Sequence, residues 1–293
     1  HAKRWGRLCA NGASEAERLG SAGHTIVATV PAQHMYGFES SVLLSLHGGS
    51  SLWRGRPFYA ADIDQALAAS PRPRMLVSTP FHLANVVSSG VRMPPCDLVL
   101  CATAPLSTEL AQAAEALFNA PLVEIYGCTE SGQVASRRTT AGNTWQLLPG
   151  LSMSSDATHT WVSGGHVEGR VALTDHITDI DGDRFRLGAR HSDMVNIAGK
   201  RASLSALTAA LRAVPGVEDG CFLLPESDPS APAEHIQRLA ALVIAPTLTE
   251  AQVLAALRNT TDPAFLPRPL FKVDALPRNA TGKLLANDVQ AVF

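Results

Sequence analysis

Between Thr25 and Tyr126, apolar strand-like runs alternate with short helical ones, and no other feature of the sequence restricts the fold as strongly. The runs are Thr25–Val30 (TIVATV), Arg74–Thr79 (RMLVST), Asp97–Ala102 (DLVLCA) and Pro121–Tyr126 (PLVEIY). Most are short apolar stretches rather than alternations, as strands buried on both faces require. Between them Tyr36–Leu46, Asp62–Ala69, Phe81–Ser88 and Thr108–Phe118 read as helices. In the last of these Leu110, Ala113, Ala114 and Leu117 share one face. Strands alternating with short helices predict an α/β fold, a mostly parallel sheet with helices on both faces. Ligands of such sheets lie beyond the carboxyl ends of the strands. Two of those ends stand out: Ala102-Thr103-Ala104-Pro105 and Tyr126-Gly127-Cys128-Thr129-Glu130.

From Ser136 to Leu187 helical spacing disappears, and short β runs with Gly-rich turns predict a small antiparallel β subdomain. Asp181-Gly182-Asp183 is a tight-turn signal, and Arg184–Leu187 then alternates charged and apolar like a half-buried strand. Beyond it Leu204, Leu207, Leu211 and Val214 step by three and four, so a helix begins that Ser203 caps and Pro215-Gly216 stops. The polar stretch Ala189–Arg201 between them reads as a boundary. A helix, strands at Gly220–Leu224 and Leu239–Ile244, a Thr249-capped helix and a strand near Leu270–Val273 then make a compact α+β domain. The expected division is 1–190 for a large domain, with its sheet in 1–135 and the β-rich part in 136–190, and 191–293 for a small mobile one.

A chain of 293 residues with 46% hydrophobic and 17% charged content suits one large and one small globular domain. Net charge of −2 gives no basic footprint for nucleic acid. Five cysteines without a CxxC pair read as reduced thiols, which points to the cytoplasm, and no run reaches membrane-spanning length. Of the 24 Lys and Arg residues only Lys3, Lys200, Lys272 and Lys283 are lysines, so an essential ammonium has few candidates.

Three constellations offer chemistry. Tyr126–Glu130 combines an aromatic ring, a glycine allowing close backbone approach, a hydroxyl and a carboxylate, a set able to stack on a base, meet a phosphate and hold a hard cation. On spacing alone an ordinary strand exit with a surface Glu is the commoner explanation. Pro277-Arg278-Asn279-Ala280-Thr281-Gly282-Lys283 is a stiffened loop presenting a point charge, and equally a solvated tail. It lacks Walker spacing. Asp175 and Arg190, flanking the Asp181–Asp183 turn, suit vicinal hydroxyls of a ribose, although a structural ion pair would account for them too. His34, just past a strand end, is more often structural than catalytic. Ser131, Asp156 and His159 form no nucleophile elbow.

Taken in order, YGCTE, Asp175 in LTD, Arg190 in GARHSD, NIAGKR and PRNATGK resemble the core motifs of the adenylate-forming superfamily. That superfamily holds acyl-CoA and acyl-carrier-protein synthetases, nonribosomal peptide synthetase adenylation domains and firefly luciferase. CATAPLS resembles its adenine-side loop and PAQHMYGFES its acid-pocket motif, so the likeness runs from about Pro31 to Lys283.

The resemblance implies ATP-dependent activation of a carboxylic acid to an acyl-adenylate, followed by transfer to the thiol of CoA or of a carrier protein's phosphopantetheine. It implies that Tyr126 stacks on adenine of ATP or AMP beside Ala102, Thr103, Ala104 and Pro105, with Gly127 adjoining. Thr129 would meet phosphate, Glu130 would hold Mg²⁺, Asp175 and Arg190 would bind ribose, and Lys283 would bridge the acid and the α-phosphate. His34, Tyr36, Gly37 and Cys128 would wall the acid pocket, and Ser192 stands at the hinge about which the small domain swings. Three departures accompany this, the first being that Ser192 stands where the family commonly has a hinge Asp or Lys. Thr103 and Ala189 replace frequent glycines, and no Ser/Thr/Gly-rich phosphate loop precedes Pro31. The chain is therefore expected to be the C-terminal part of a longer enzyme. The alternatives are a peptide-synthetase adenylation domain or a non-catalytic nucleotide- or acyl-binding remnant.

Overall fold

The computed structural model describes residues 2–156, 159–190, 194–197, 200–225, 238–278, 284 and 289, without the side chains of Ala189, Arg190 and Arg201. It divides into two compact units, one built mainly from His1–Leu173 and Ile177–Gly188, the other mainly from Thr174–His176 and Ala189–Asn279.

The first unit opens with helix α1 (Trp5–Leu19), ended by Gly20 at φ +59°. Sequence reading did not single out this helix. Strand β1 (Thr25–Ala28) follows, then a continuous helical run of α2 (Met35–Gly37), a π-helical turn Phe38–Leu43 and α3 (Leu44–Gly48). After the short β2 (Ser51–Leu52), helices α4 (Ala60–Ala69), α5 (Pro80–Ser88) and α6 (Thr108–Phe118) alternate with β3 (Arg74–Ser78), β4 (Leu98–Cys101) and β5 (Leu122–Cys128). Thr79 and Ser107 cap α5 and α6, each accepting a backbone N–H from three residues on.

Strands β2, β1, β3, β4 and β5 pair in parallel in that order. Their residues sort by the period of two. Val27, Leu76 and Val99 face a core shared with α4, α5 and α6, while Ile26, Met75 and Leu100 face one shared with Leu44 of α3 and with Ala16 and Leu19 of α1. Leu76, Val99 and Leu100 are fully buried, so truncating any of them to Ala should cost about 2–5 kcal/mol.

The β-rich segment forms the small antiparallel sheet that its pattern predicts and also lengthens the main sheet. Strands β6 (Gly132–Arg137), β7 (Thr144–Leu147), β11 (Asp175–Asp181) and β12 (Arg184–Arg190) extend the main sheet to nine strands, while β8 (Leu151–Ser155), β9 (Thr160–Gly164) and β10 (Arg170–Leu173) make a three-stranded sheet. Register explains the difference. Each strand looks antiparallel locally, but β6, β7, β12 and β11 pair on in succession from β5, whereas β8, β9 and β10 pair with one another. Gly182, at φ +59°, turns β11 into β12 as the sequence expects.

In the second unit the polar stretch read as a boundary contains a hairpin, β13 (Met194–Ile197) with β14 (Lys200–Ser203). Val195 and Ile197 point one way and are buried, which a polar composition concealed. Helix α7 (Leu204–Arg212) has Ser203 as its cap. Strands β15 (Asp219–Leu223), β16 (Ala240–Ile244) and β17 (Leu270–Lys272) form a mixed sheet, and α8 (Glu250–Leu257) begins with a Thr249–Gln252 capping box. Leu207, Leu211, Phe222, Leu242 and Val253 are buried in this unit's core. No helix among the described residues is long and apolar enough to cross a membrane.

Candidate functional site

The carboxyl ends of β1, β3, β4 and β5 lie side by side along one edge of the sheet. Parallel register fixes what meets there. Cys101 stands opposite Glu124, so the loop Ala102–Pro105 emerges beside Ile125 and Tyr126 one strand over. Ala102 and Ile125 share an apolar cluster with Tyr36, which arrives from the helical run after β1. The structure thus brings the CATAPLS, YGCTE and PAQHMYGFES segments together, although 60 or more residues separate the first of these in sequence from the rest of the site.

β5 runs two residues further than its apolar pattern suggests, through Gly127 and Cys128, and turns back into β6. Cys128 pairs with Gly132, leaving Thr129, Glu130 and Ser131 as a three-residue hairpin loop, and Gly132 at φ +80° completes it. Thr129 and Glu130 are exposed at its tip, where the Lys3 ammonium donates to the Glu130 carbonyl at 2.7 Å. The pairing shifts between Tyr126 and Gly127, a bulge of the kind that re-aims side chains. Gly127 has a different use from the one its sequence position suggests. A Cβ there would lie 2.4 Å from the Gly132 carbonyl oxygen and 2.9 Å from Gln133 Cα, so its bareness serves β6. Gly37 is similar: a Cβ would sit 2.2 Å from the Pro31 carbonyl oxygen.

Tyr126 is 8% exposed, its ring edge-on to Trp145 at 5.8 Å and to Phe185 at 6.2 Å. Thr103 holds φ +85°, a conformation natural to glycine and strained for a β-branched residue. Its hydroxyl oxygen is buried without a hydrogen-bond partner. Burial drives the Tyr36 phenol well above its ordinary range, with Cys101 and Glu15 adding to it. His34 precedes α2 and is half-buried; the Cys128 thiol lies 3.1 Å from the Ser131 hydroxyl. Asp175 is buried, opens β11 and belongs to the second unit. Arg190 ends β12. The Arg190 side chain, Ser192 and Lys283 lie outside the described residues.

Sequence reasoning missed the polar residues beneath the hairpin. Gln133 Nε2 donates to Ser40 Oγ at 2.8 Å, Ser40 donates to Glu15 at 2.6 Å, and Asn11 donates to Glu39 at 2.7 Å. Only Glu39 and Ser40 carried a signal, being inside PAQHMYGFES. A cavity of about 490 Å³ lies away from this edge, against the amino-terminal ends of β4 and β5 at Leu98 and Pro121. Among its arginines, Arg137 and Arg138 are already paired with Glu124 and Glu115.

Comparison with known proteins agrees with this arrangement. Residues 6–158 match the AMP-binding enzyme family. The chain is 29% identical over 217 residues to a 4-coumarate–CoA ligase of Rhodobacter capsulatus, covering 73% of this chain and 54% of that protein. It is 28% identical over 266 residues to the enzyme of the same name from Cereibacter sphaeroides, covering 88% and 59%. The chain therefore spans between half and three-fifths of the length of these relatives. In fold it is similar to ATP-bound MatB from Rhodopseudomonas palustris, with a TM-score of 0.80 at 19% identity over 98% of this chain and 63% of that one. It is equally similar to the o-succinylbenzoate CoA synthetase MenE from Bacillus subtilis solved with ATP and magnesium, with a TM-score of 0.80 at 17% identity over 98% and 66%. The chain belongs to the AMP-binding enzyme family, within the adenylate-forming superfamily.

Proposed function

We propose that the protein activates a carboxylic acid with ATP, forming an acyl-adenylate and pyrophosphate, and passes the acyl group to the thiol of CoA. The observation that carries this is the hairpin tip Thr129–Glu130 standing beside the Ala102–Pro105 loop at the carboxyl edge of a parallel sheet. The kinship to enzymes named as CoA ligases supports CoA over a carrier-protein pantetheine.

In this reading Tyr126 and the Ala102–Pro105 backbone take adenine, and Asp175 and Arg190 take the ribose hydroxyls. Thr129 donates to phosphate. His34, Tyr36, Gly37 and Cys128 shape the acid pocket, and Lys283 stabilises the charge that gathers as carboxylate meets α-phosphorus. Residues 1–190 form the nucleotide-binding part and 191–293 a small domain that turns about Ser192 between the half-reactions. Glu130 fits Mg²⁺ of the kind that arrives with nucleotide. Among the described residues no group of three or more His, Cys, Asp or Glu could hold a metal, and Mg²⁺ takes one or two carboxylates with the remaining oxygens from phosphate and water. Bound there, it would neutralise phosphate charge.

Pyrophosphate release measured with the full-length protein over a panel of carboxylic acids, aromatic and aliphatic, tests the proposal. Release that depends on both acid and ATP, followed by CoA-dependent AMP release, is the expected result. Nucleotide binding without acid-dependent pyrophosphate release from any acid would favour a non-catalytic binding protein.

A further inference from the structure

The polar cluster beneath the hairpin joins α1, the π-helical turn and β6, and it is short of hydrogens. Glu15 and Glu39 are 0% and 4% exposed, with Asn11 and Gln133 at 2%. His166 Nε2 lies 2.7 Å from the Gln133 carbonyl oxygen, which can only accept, so that nitrogen carries the proton and Nδ1 is an acceptor. Glu15 Oε2, Asn11 Oδ1, Gln133 Oε1 and His166 Nδ1 are all buried without a hydrogen-bond partner. All four are acceptors. Buried polar atoms in folded proteins are almost always satisfied, so the cluster needs donors that its amides and hydroxyl do not supply.

A metal ion would lack ligands, since no suitable group exists among the described residues. The adjoining cavity, lined by Lys3, Arg7, Asn11, Glu39, Ser131 and His166 among others, has about 10 Å³ of free space, room for one water at most. The two carboxyl groups, when protonated, supply such donors from within the cluster itself. We propose that Glu15 and Glu39 hold their protons up to about neutral pH, donate hydrogen bonds inside the cluster as neutral carboxylic acids, and act as positioning residues for the Thr129–Ser131 turn.

The surroundings favour this. Burial first, and for Glu39 the neighbouring Glu15, push the two carboxyls up to about 7 and about 8. Lys3 opposes the rise at Glu39, while Ser40 and Gln133 oppose it at Glu15. The charged groups near the cluster are Lys3 and Arg7; His166, held down to about 4 chiefly by burial, is neutral, and so is the Tyr36 phenol, which burial and the nearby Glu15 push well up. From β6, Gly132 and Gln133 face the acids. A Cβ on Gly132 would lie 3.1 Å from Glu39 Oε1, so this carboxyl packs against the residue that closes the turn. Ionising it would place a charge that demands several waters where there is room for one at most. The consequence for catalysis rests on the assignment of Thr129 and Glu130 to nucleotide phosphate; the protonation does not.

The test compares wild type with Glu15→Gln, Glu39→Gln and the double variant, Gln having the shape of the neutral acid and a donor of its own. Infrared spectra at neutral pH should show buried acid carbonyl bands in wild type that the double variant lacks. The pH dependence of thermal unfolding between about pH 5 and about pH 9 should flatten in the double variant. In the full-length protein the alkaline limb of acid-dependent pyrophosphate release should move up by about one pH unit or more in the variants. A wild-type spectrum with only carboxylate bands overturns the protonation, whether or not the variants fold. Loss of the acid bands with an unmoved pH–rate profile overturns the positioning role. Buried acid bands in a protein that releases no pyrophosphate with any acid would confirm the protonation and count against the ligase reading instead.

Discussion

Thr103 occupies a left-handed conformation, natural to glycine, with a buried, unpartnered hydroxyl. Such strain stands at about 1–3 kcal/mol, partly offset by the greater unfolded-state freedom of glycine. Thr103→Gly should therefore stabilise the chain by about 1 kcal/mol, visible as a rise in unfolding temperature. Unchanged or lower stability would mean that the Thr side chain contributes packing worth more than the strain. Lys283 makes a second prediction at this scale. Losing one preorganised charge at the reacting phosphate typically costs about 3–4 kcal/mol, a hundred- to a thousandfold in rate. Lys283→Ala in the full-length protein should cripple acyl-adenylate formation and leave ATP affinity nearly intact. Supplied with synthetic acyl-adenylate and CoA, the variant should form thioester at close to the wild-type rate. Equal failure from both starting points would remove Lys283 from the adenylation step.

At the scale of elements, the β5–β6 hairpin depends on Gly127 more than on any apolar residue. Gly127→Ala would drive a methyl group into the Gly132 carbonyl, and neither backbone can yield without breaking the pairing of Cys128 with Gly132. The expected loss is about 2–3 kcal/mol by denaturant unfolding. Thr129 and Glu130 should be displaced with it, so nucleotide-dependent activity should fall by more than the stability loss explains. In the second unit, the Ser203 hydroxyl accepts the Ala206 N–H, and Ser203→Ala should cost about 1 kcal/mol there. Hydrogen exchange should register that change in α7 and leave β3 and β4 untouched. Much of this was legible beforehand. The helix at Thr108–Phe118 appears with the bounds its pattern implies, and Ser203 and Thr249 cap where their sequence contexts say they should. Helix α1 was not legible, because its buried residues include Asn11, Gly12 and Glu15, which carry no apolar stripe.

For the whole molecule the two buried acids set a pH dependence of known sign. Their folded pKa values, about 7 and about 8, lie above the ordinary carboxyl value of 4.5, so the folded state binds more protons than the unfolded one between these limits. Stability then falls as pH rises from about 4.5 and stops falling above about 8, by an amount on the order of a few kcal/mol. Carboxyls lowered by partners, such as Asp97 with Arg72 and Glu115 with Arg138, act in the opposite sense below that window, so a maximum on its acidic side is expected. Calorimetry across the range checks the slope. At the same scale, Ser192→Pro in the full-length protein should impair thioester formation more than adenylation if Ser192 is a pivot. Equal loss of the two half-reactions would count against it.

What the sequence determined by itself was local: apolar runs too short for anything but strands, helical spacing between them, caps, and the Gly182 turn. Each depends on residues within a few positions of one another, where period and propensity act directly. The ordered motifs also carried the family. Tertiary structure decided which strands share a sheet. It placed β6, β7, β11 and β12 beside β5, and kept β8, β9 and β10 apart, through registers that no single strand encodes. It also gave Gly127 and Gly37 their reason, the backbone passing 2.4 and 2.2 Å from where a Cβ would stand. It alone assembled Glu15, Ser40 and Gln133, which lie up to 118 residues apart in the numbering and become neighbours only when α1 and the π-helical turn close on β6. A buried polar group has no pattern of its own in a sequence; its partners are chosen by the packing that removes water from around it.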